Sequence, residues 1–193
     1  MAKSADYPER LRSYVFHGVE LVVKGPEGVG DCPFCGESRK FFVAVDDGQW
    51  NCRRCATGNE NGGGNEASFL ALLWERSVKA TPDSAYRELA ASRGLMPETL
   101  KAWGVARSVV TGDWLVPGHG VDGKVKQLYR WITLDGQKRL AATPGQHALH
   151  GLHLWDDKRP EVYVCEGPWD GMALWEVLNA TRVLKGVYCH TKT

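Results

Sequence analysis

The order of apolar and polar positions first predicts a β-hairpin preceded by an N-terminal arm. Residues 7–15 suit a short helix, and the glycine-rich stretch 25–30 predicts a break in regular structure. Residues 40–45, Lys-Phe-Phe-Val-Ala-Val, form a strand-like apolar run. The turn sequence Asp46-Asp47-Gly48 then leads into a return strand at 49–52.

Apolar residues recur at helical spacing in three segments after a glycine-rich connector at 57–65. The first helix is predicted over 66–78 with Asn65 as its cap, the second runs from Pro82 to Gly94, and the third begins near Pro97. Their aromatic and aliphatic residues are typical of packing rather than of cofactor contacts. The positions predicted to face inward are Phe69, Leu72, Leu73, Trp74, Tyr86, Leu89, Ala90, Leu100 and Trp103.

Alternation typical of strands replaces the helical period from Trp114 onward. Strands are predicted at 114–117 and 124–132, and Asp135-Gly136 predicts a tight turn into a further strand at 137–140. The pattern at the end of the chain is a buried-looking strand at 161–166, a helix at 167–178 and a strand at 182–188. Together these elements predict an α+β protein.

Composition and charge exclude some functions without selecting one. The 193 residues have a formal net charge of +1, so any nucleic-acid site must be a local patch rather than a property of the whole chain. Residues 1–15 lack the apolar core of a signal peptide, and no window has the length of apolar sequence that spans a membrane. These features predict a cytoplasmic protein in a reducing compartment with no membrane partner.

Two pairs of cysteines form the most specific motif in the sequence. Cys32 and Cys35 are separated by two residues, as are Cys52 and Cys55, and sixteen residues lie between the pairs. This spacing is typical of a structural zinc site, in which two knuckles aim four thiolates at one ion. Disulfides or free buried thiols are the alternative, and a reducing compartment disfavours disulfides.

Basic residues concentrate on the predicted strands between 124 and 139. Five cations, Lys124, Lys126, Arg130, Lys138 and Arg139, stand against the single acid Asp135, with Tyr129 and Trp131 interleaved. Such a face suits single-stranded nucleic acid, because cations follow phosphates and aromatic rings stack on bases. A solvated sheet face is an equally good interpretation of the pattern alone.

Two acids near the end of the chain are candidates for a second site. Glu166 closes the predicted strand where the turn into the next helix begins, the edge at which α/β sheets bind ligands. Asp170 follows in the first helical turn, where an acid also complements the helix dipole. His147, His150 and His153 recur at every third residue, but glycines at 145 and 151 disfavour the regular helix that a metal triad would need.

These motifs together resemble DNA primases of the DnaG type, in the version found in phages and plasmids. Cys32-Pro33-Phe34, Trp50-Asn51-Cys52 and 67–71 are similar to the zinc-binding domain of the family. Leu115-Val116-Pro117, 122–125, Arg130 and Lys138 are similar to the N-terminal part of its RNA polymerase domain. The run 139–142, Arg-Leu-Ala-Ala, departs from the family at this point.

The stretch 164–174 is similar to the glutamate motif that opens a TOPRIM fold. The resemblance implies that Glu166 is catalytic, with Asp170 in the same motif, and that Mg²⁺ or Mn²⁺ serves the complete active site. It implies a nucleotidyltransferase that uses a single-stranded DNA template and ribonucleotides during DNA replication, with a replicative helicase as a protein partner. The TOPRIM motif would follow a zinc ribbon, helices and basic antiparallel strands.

The resemblance also implies a division of the chain and a set of DNA contacts. The expected parts are a zinc-binding domain with its following helices at 1–94, a basic subdomain at 95–158 and the start of an incomplete TOPRIM fold at 159–193. Structural Zn²⁺ would be held by Cys32, Cys35, Cys52 and Cys55. The residues expected to contact nucleic acid are Arg39, Lys40, Trp50, Arg53, Arg54, Lys124, Lys126, Arg130 and Lys138.

The family's Asp-x-Asp pair, which completes the divalent-ion site, does not follow Glu166 in this sequence. We therefore expect the N-terminal portion of a primase, either truncated or split, in which catalysis is incomplete. A non-catalytic zinc-ribbon module that binds single-stranded nucleic acid is the main alternative. A recombination mediator of the RecR type is a further one, disfavoured by the long segment 66–160 between its two motifs.

Overall fold

The structure is a computed structural model that describes residues 4–57, 62–143, 147–155, 161–180 and 186–189. The chain divides into two compact units, residues 1–73 with 109–112 and residues 74–108 with 113–193. Helices and mainly antiparallel strands alternate within them, which confirms the predicted α+β class. The division at residues 94 and 158 stays a prediction.

The first unit contains a five-stranded antiparallel sheet whose strands follow one another in sequence order. Its strands are β1 Leu21–Lys24, β2 Glu27–Gly30, β3 Phe41–Ala44, β4 Trp50–Cys52 and β5 Gly63–Gly64. The predicted hairpin is confirmed as β3 and β4. The predicted break at 25–30 is wrong, because Gly25 adopts a left-handed φ of 60° and turns β1 into β2.

Aromatic side chains form the core of the first unit beneath this sheet. Tyr14, Phe41, Trp50 and Phe69 are all buried, and the ring centroids of Tyr14 and Phe69 lie 4.7 Å apart. Tyr14 also donates its hydroxyl hydrogen to the carbonyl oxygen of Gly48 at 2.7 Å, which ties the N-terminal helix to the β3–β4 turn. The core therefore holds the strands that carry the cysteines.

Most helices begin and end close to the predicted positions. The N-terminal helix, predicted over 7–15, is α-helical only over Arg12–Phe16 and follows 3₁₀ turns at Ser4–Asp6 and Glu9–Leu11. The helices are α1 Arg12–Phe16, α2 Arg53–Thr57, α3 Glu66–Ala80, α4 Asp83–Arg93, α5 Pro97–Ala102 and α6 Pro168–Ala180. Asn65 caps α3 through a hydrogen bond from the backbone N–H of Ser68, and Gly94 ends α4 in a left-handed conformation. The short helix α2 was not predicted. Residues 58–61 of the predicted connector lie outside the described residues.

The second unit contains a four-stranded antiparallel sheet in sequence order. Its strands are β6 Ala106–Arg107, β7 Trp114–His119, β8 Val125–Leu134 and β9 Gln137–Ala141. Asp135 and Gly136 both adopt positive φ, as the predicted tight turn requires. The strand predicted at 114–117 is longer than expected, since β7 continues to His119 through an irregularity in its pairing with β8.

The last elements form a strand–helix–strand unit. Strand β10, Val162–Cys165, pairs in parallel with β11, Gly186–Cys189, and α6 connects them. Residues 182–185 of the predicted strand 182–188 lie outside the described residues. Strand β10 is less buried than its sequence suggested, because Val164 is 74% exposed.

The hydrophobic core of the second unit joins these elements. Leu100, Trp103, Val105, Val116 and Met172 are fully or almost fully buried in one cluster, with Tyr86 and Leu89 of α4 beside them. The inward positions predicted for α4 and α5 are therefore confirmed. Met172 lies in α6, so the core includes part of the helix that follows Glu166.

Candidate metal centre and nucleic-acid interface

The four cysteines of the two knuckles converge on one point in the first unit. Cys32 and Cys35 lie in the loop after β2, whereas Cys52 ends β4 and Cys55 lies in α2. The Sγ atoms of Cys32 and Cys55 are 3.9 Å apart, and those of Cys35 and Cys52 are 3.7 Å apart. All four Sγ atoms lie within 4.8 Å of one another.

These separations fit a tetrahedral ion held by four thiolates. Zinc–sulfur bonds of about 2.3 Å place tetrahedral sulfur atoms about 3.8 Å apart. Backbone hydrogen bonds fix the knuckle, since the N–H of Cys32 donates to Glu37 O at 3.0 Å and the N–H of Gly36 donates to Cys32 O at 2.9 Å. The four cysteines are therefore arranged to hold a metal ion.

Burial and mutual contact perturb the thiols of this cluster. Burial raises the pKa of Cys32 to about 12, and it also raises the pKa of Cys55. For Cys52 desolvation acts in the same direction, but hydrogen bonds from the Cys55 backbone, the Cys32 thiol and the Arg54 backbone outweigh it and lower its pKa. A bound cation would favour the thiolate form at all four positions.

Trp50 is a core residue, and its ring is not exposed for the predicted contact with nucleic acid. Its side chain is only 2% exposed, and its ring stacks on Phe41 with the centroids 5.4 Å apart. The indole N–H donates to Asn65 O and to Ser68 Oγ at 3.1 and 3.0 Å. Trp50 therefore joins β4 to the start of α3, and a base cannot stack on it.

The other predicted contacts of the first unit lie at its surface. Arg39, Lys40, Arg53 and Arg54 are all exposed. The guanidinium of Arg53 lies 4.6 Å from the centroid of the Phe42 ring, which is a cation–π contact on the outer side of the sheet. The sequence interpretation missed Phe42, although strand alternation in Phe41-Phe42-Val43 predicts that Phe42 faces away from Phe41.

Asp31 fixes the conformation of the loop that carries Arg39. Its Oδ1 accepts hydrogen bonds from the backbone N–H of Arg39 at 2.8 Å and from Ser38 Oγ at 2.9 Å. Both hydrogen bonds lower the pKa of Asp31, and the one from Arg39 contributes more than the one from Ser38. Arg39 itself adopts a positive φ of 54°, which is uncommon for a residue with a side chain.

The basic strands of the second unit do not form one continuous face. Arg130 lies on one side of β8, whereas Lys138 pairs with Thr133 on its other side. Lys126 lies at the irregularity in the pairing of β8 with β7. Lys126 pairs with Asp122 at 2.9 Å, and Arg130 pairs with Asp113. Lys124 precedes β8 and is exposed. The expectation of a single basic face is therefore wrong.

The aromatic residues of β8 also have partners within the protein. Tyr129 is 2% exposed, and its hydroxyl hydrogen-bonds Ala148 at 3.3 Å. The Arg93 guanidinium lies over a pair of tryptophan rings that contact each other, 4.4 Å from the centroid of Trp131 and 4.6 Å from that of Trp169. The expectation that Tyr129 stacks on bases is wrong, and Trp131 instead connects β8 to the first turn of α6.

Glu166 and Asp170 lie where the sequence placed them, at the turn from β10 into α6. Both carboxylates are exposed, and the backbone N–H of Gly171 donates to Gly167 O at 3.1 Å to start the helix. Among the described residues, the four cysteines are the only group of three or more metal-ligating side chains close enough to share an ion. Glu166 and Asp170 thus have no third ligand of this kind in that part of the chain.

The histidines near residue 150 contact backbone carbonyl groups. His150 Nδ1 lies 3.0 Å from Pro117 O, and His153 Nε2 lies 2.9 Å from Ala102 O. The sequence did not predict that His119 would stand beside them, with its ring centroid 4.0 Å from that of His153. Burial, with smaller contributions from His153 and His150, lowers the pKa of His119 to about 3.

No family model and no curated protein matches the sequence. Among solved structures, the zinc-binding and RNA polymerase domains of the Aquifex aeolicus primase match 98% of this chain at 14% identity, with a TM-score of 0.41. The primase fragment of the bacteriophage T7 primase-helicase matches 84% at 18% identity, with a TM-score of 0.41. The E. coli primase catalytic core matches 66% at 14% identity, with a TM-score of 0.49.

The matched regions cover only part of those proteins. They amount to 66% of the Aquifex chain, 66% of the T7 chain and 55% of the E. coli chain. At these identities and TM-scores, the similarity by itself assigns neither a family nor an activity to this chain. Among the described residues, none of the helices combines the length and the apolar character that crossing a membrane requires.

Proposed function

We propose that this chain is the N-terminal portion of a DNA primase of phage or plasmid type, which recognises a single-stranded DNA template for RNA primer synthesis. The observation that carries the proposal is the convergence of four thiols on a small sheet with an exposed cationic surface. Basic strands and then a strand–Glu166–helix turn follow this sheet in the order that the resemblance implies. The chain would act in a reducing cytoplasm, with a replicative helicase as a partner.

In this proposal Zn²⁺ is structural. Cys32, Cys35, Cys52 and Cys55 would hold it, and the all-sulfur donor set favours zinc over magnesium or calcium. The ion would fix the loop after β2 against the end of β4. Arg39 and Arg53 would thereby keep their positions around the sheet, which matters because displaced cations track phosphates poorly.

Template contacts would come from exposed cations of both units. In the first unit we assign Arg39, Lys40, Arg53 and Arg54, with Phe42 in place of Trp50 as the aromatic surface on which a base stacks. In the second unit Lys124 and Lys138 are exposed. Lys126 and Arg130 would have to exchange Asp122 and Asp113 for phosphate, so we expect smaller contributions from them.

Glu166 and Asp170 are assigned to the nucleotidyl-transfer site at the start of a TOPRIM fold. Nucleotidyl transfer through Mg²⁺ or Mn²⁺ uses clustered carboxylates that hold the ions against the ribonucleotide phosphates. The two exposed carboxylates of this turn supply part of such a cluster. We therefore propose that the chain alone binds template but does not complete catalysis.

Fluorescence anisotropy with a labelled single-stranded DNA tests the binding part of this function. We expect affinity to fall as salt rises, because cation–phosphate contacts release counterions. Lys124→Ala with Arg130→Ala should weaken binding, with the loss dominated by Lys124. Lys79→Ala, an exposed lysine at the end of α3, is the matched control. Binding that is indifferent to both salt and the double variant would remove the basic strands from the function.

A primer-synthesis assay with ribonucleotides and magnesium separates the proposal from the second candidate, a non-catalytic binding module. The lack of a third carboxylate beside Glu166 and Asp170 in the described residues favours binding alone for this chain. Primer made by this chain would defeat that view. Glu166→Gln should then abolish synthesis and leave DNA affinity unchanged.

A further inference from the structure

Strand β1 is an open edge of the sheet in the first unit. In the part of the chain that the structure describes, β2 is its only neighbouring strand. Proteins usually shield such edges, because unpaired N–H and carbonyl groups can accept a further strand. Strand β9, at an edge of the other sheet, carries the charged Lys138 and Arg139, which is a common form of shielding. Strand β1 instead exposes 61% of Val22 and 42% of Val23.

The backbone groups of Leu21 and Val23 face this open edge. Strand β1 joins β2 through a two-residue turn, so Lys24 and Glu27 form the hydrogen-bonded pair that closes the hairpin. Hydrogen-bonded and non-hydrogen-bonded pairs alternate along antiparallel strands, which turns the groups of Leu21 and Val23 away from β2. Leu21 O accordingly accepts a hydrogen bond from the Tyr7 hydroxyl at 3.0 Å. The N–H and the carbonyl oxygen of Val23 have no partner among the described residues.

Two exposed charges of opposite sign lie at the ends of β1. Glu20 directly precedes the strand and Lys24 ends it, and within the described residues neither one has an ion-pair partner. Val19 and Leu21 are buried on the core side. Alternation along the strand therefore sends the side chains of Glu20, Val22 and Lys24 to the outer side of the sheet. Four residues of extended chain separate Glu20 from Lys24 by about 13 Å, so they cannot pair with each other.

A cavity of about 310 Å³ borders the same edge. Its lining is mostly apolar and includes Tyr7, Val15, Val19 and Leu21. A further strand paired antiparallel with β1 would place one of its side chains next to Leu21, on the same side of the sheet. The cavity beside Leu21 can therefore receive an apolar side chain from such a strand.

We propose that a second copy of this chain pairs with β1, antiparallel and across a two-fold axis that passes beside Val22. In this register Leu21 of each copy faces Val23 of the other, and their outward N–H and carbonyl groups form hydrogen bonds in both directions. Leu21 O accepts such a bond with its second lone pair. Glu20 of each copy faces Lys24 of the other, so both charges gain a partner. The Val23 side chain enters the cavity of the other copy.

The charges favour a second copy in this register over other arrangements. A parallel pairing of two copies in register would place Glu20 beside Glu20 and Lys24 beside Lys24, which is unfavourable. An antiparallel register shifted by two residues keeps hydrogen bonds between outward groups but leaves both charges without a partner. The contact involves about five residues of each copy, so it belongs with small and transient interfaces.

Sedimentation equilibrium of the zinc-loaded full chain measures this association, with a reductant present to prevent disulfides between copies. We expect a reversible equilibrium between monomer and dimer over about 5–500 μM, a range that suits a small interface. Val23→Pro removes an N–H from the open edge without removing a hydrogen bond to β2, so it should abolish the dimer. Its zinc content and the hydrogen-exchange protection of β3 should stay at the wild-type level.

Charge reversal tests the register. Glu20→Lys and Lys24→Glu each place like charges opposite each other in both pairs, so each should weaken association at least about tenfold. Both substitutions in one chain, or a mixture of the two single variants, bring opposite charges together again and should restore the dimer. Arg10→Glu makes the same change of charge at an exposed position outside β1 and should dimerise like the wild type.

Three results would overturn this pairing, and none of them affects the proposed template-binding function. The first is a wild-type chain that stays monomeric at every concentration. The second is a dimer that both single charge variants retain, which would place the contact elsewhere or in another register. The third is a combined charge variant that stays monomeric, because opposite charges then fail to restore the contact.

Discussion

The cysteine cluster and the Glu166 turn are built in different ways. The strands next to the two cysteine knuckles, β2 and β4, pair antiparallel with neighbours close in sequence, and the four Sγ atoms converge within 4.8 Å. Strand β10, which ends before Glu166, pairs in parallel with β11 across the whole of α6 and exposes Val164. In the described residues, the cysteine cluster offers four ligands for one metal ion, whereas the turn after β10 offers only the two carboxylates of Glu166 and Asp170.

This contrast indicates that the two units depend on different forces. The first unit has a small core under short strands, so a metal ion should contribute much of its stability. The second unit has a continuous cluster around Leu100, Trp103 and Met172, which should be stable without any ion. Each of the following measurements tests that difference.

Removal of the metal should produce the largest effect. We expect Cys52→Ser or chelation to unfold the first unit, since structural zinc contributes on the order of 10–16 kcal/mol in small zinc peptides. Hydrogen exchange should rise in β3 and β4 and stay constant in α4 and α5. Cys165→Ser, a change outside the cluster, is the control for zinc content. Equal protection of β3 with and without chelator would contradict the contrast.

Leu100→Ala should destabilise the second unit whether or not zinc is present. Leu100 is fully buried, and such truncations cost about 2–5 kcal/mol through lost burial and the cavity left behind. Denaturant unfolding followed by hydrogen exchange in α4 measures the loss. If the same variant loosened β3 and β4 to a similar degree, the two units would share one core.

Acid should weaken the second unit through His119. Its pKa is lowered to about 3 by burial, so the unfolded chain binds the proton near its ordinary pKa of about 6.5 while the folded chain does not. The neutral form of His119 leaves the folded chain at full stability above pH 6.5. Stability is lost as pH falls from 6.5 through about 3, and the loss is about 2 kcal/mol at pH 5.

Urea unfolding of the wild type and His119→Leu at pH 7 and pH 5 measures this loss. The variant should lose less stability than the wild type between the two pH values, and comparing the two chains cancels the contribution of all other groups. His147→Leu, at an exposed position, should follow the wild type. If all three chains lost the same stability between pH 7 and pH 5, the folded chain would protonate His119 as readily as the unfolded chain does.

Glu176→Ala should have the smallest effect of the series. Its Oε2 accepts hydrogen bonds from the Met96 N–H at 2.9 Å and from Thr99 Oγ1 at 2.7 Å, where α5 begins. Their loss should cost about 1–2 kcal/mol. Glu75→Ala, an exposed acid on α3, should stay close to wild type in the same unfolding assay. A comparable cost for both variants would indicate that the contact to α5 is not stabilising.

Local signals predicted most of the elements. The CxxC spacing, the Asn65 cap, Gly94 after α4 and the Asp135-Gly136 turn each determine structure through neighbouring residues, and each is confirmed. The hairpin β1–β2 was missed, because a glycine-rich stretch is typical both of a loop and of a turn between short strands. Val164 was expected to be buried but is exposed. The sequence could not show this, since a strand of β-branched residues has the same pattern with or without a covering layer.

The sequence by itself determined the α+β class, the four cysteines that are arranged to hold a metal ion and the place of Glu166 between a strand and a helix, because spacing along the chain fixes these features. Only the tertiary structure decided which side chains are available at the surface. It buried Trp50, paired Arg130 with Asp113, and aligned Val22, Val29 and Phe42 across three strands. Exposure and cross-strand register depend on residues distant in sequence, which periodicity within one segment does not record.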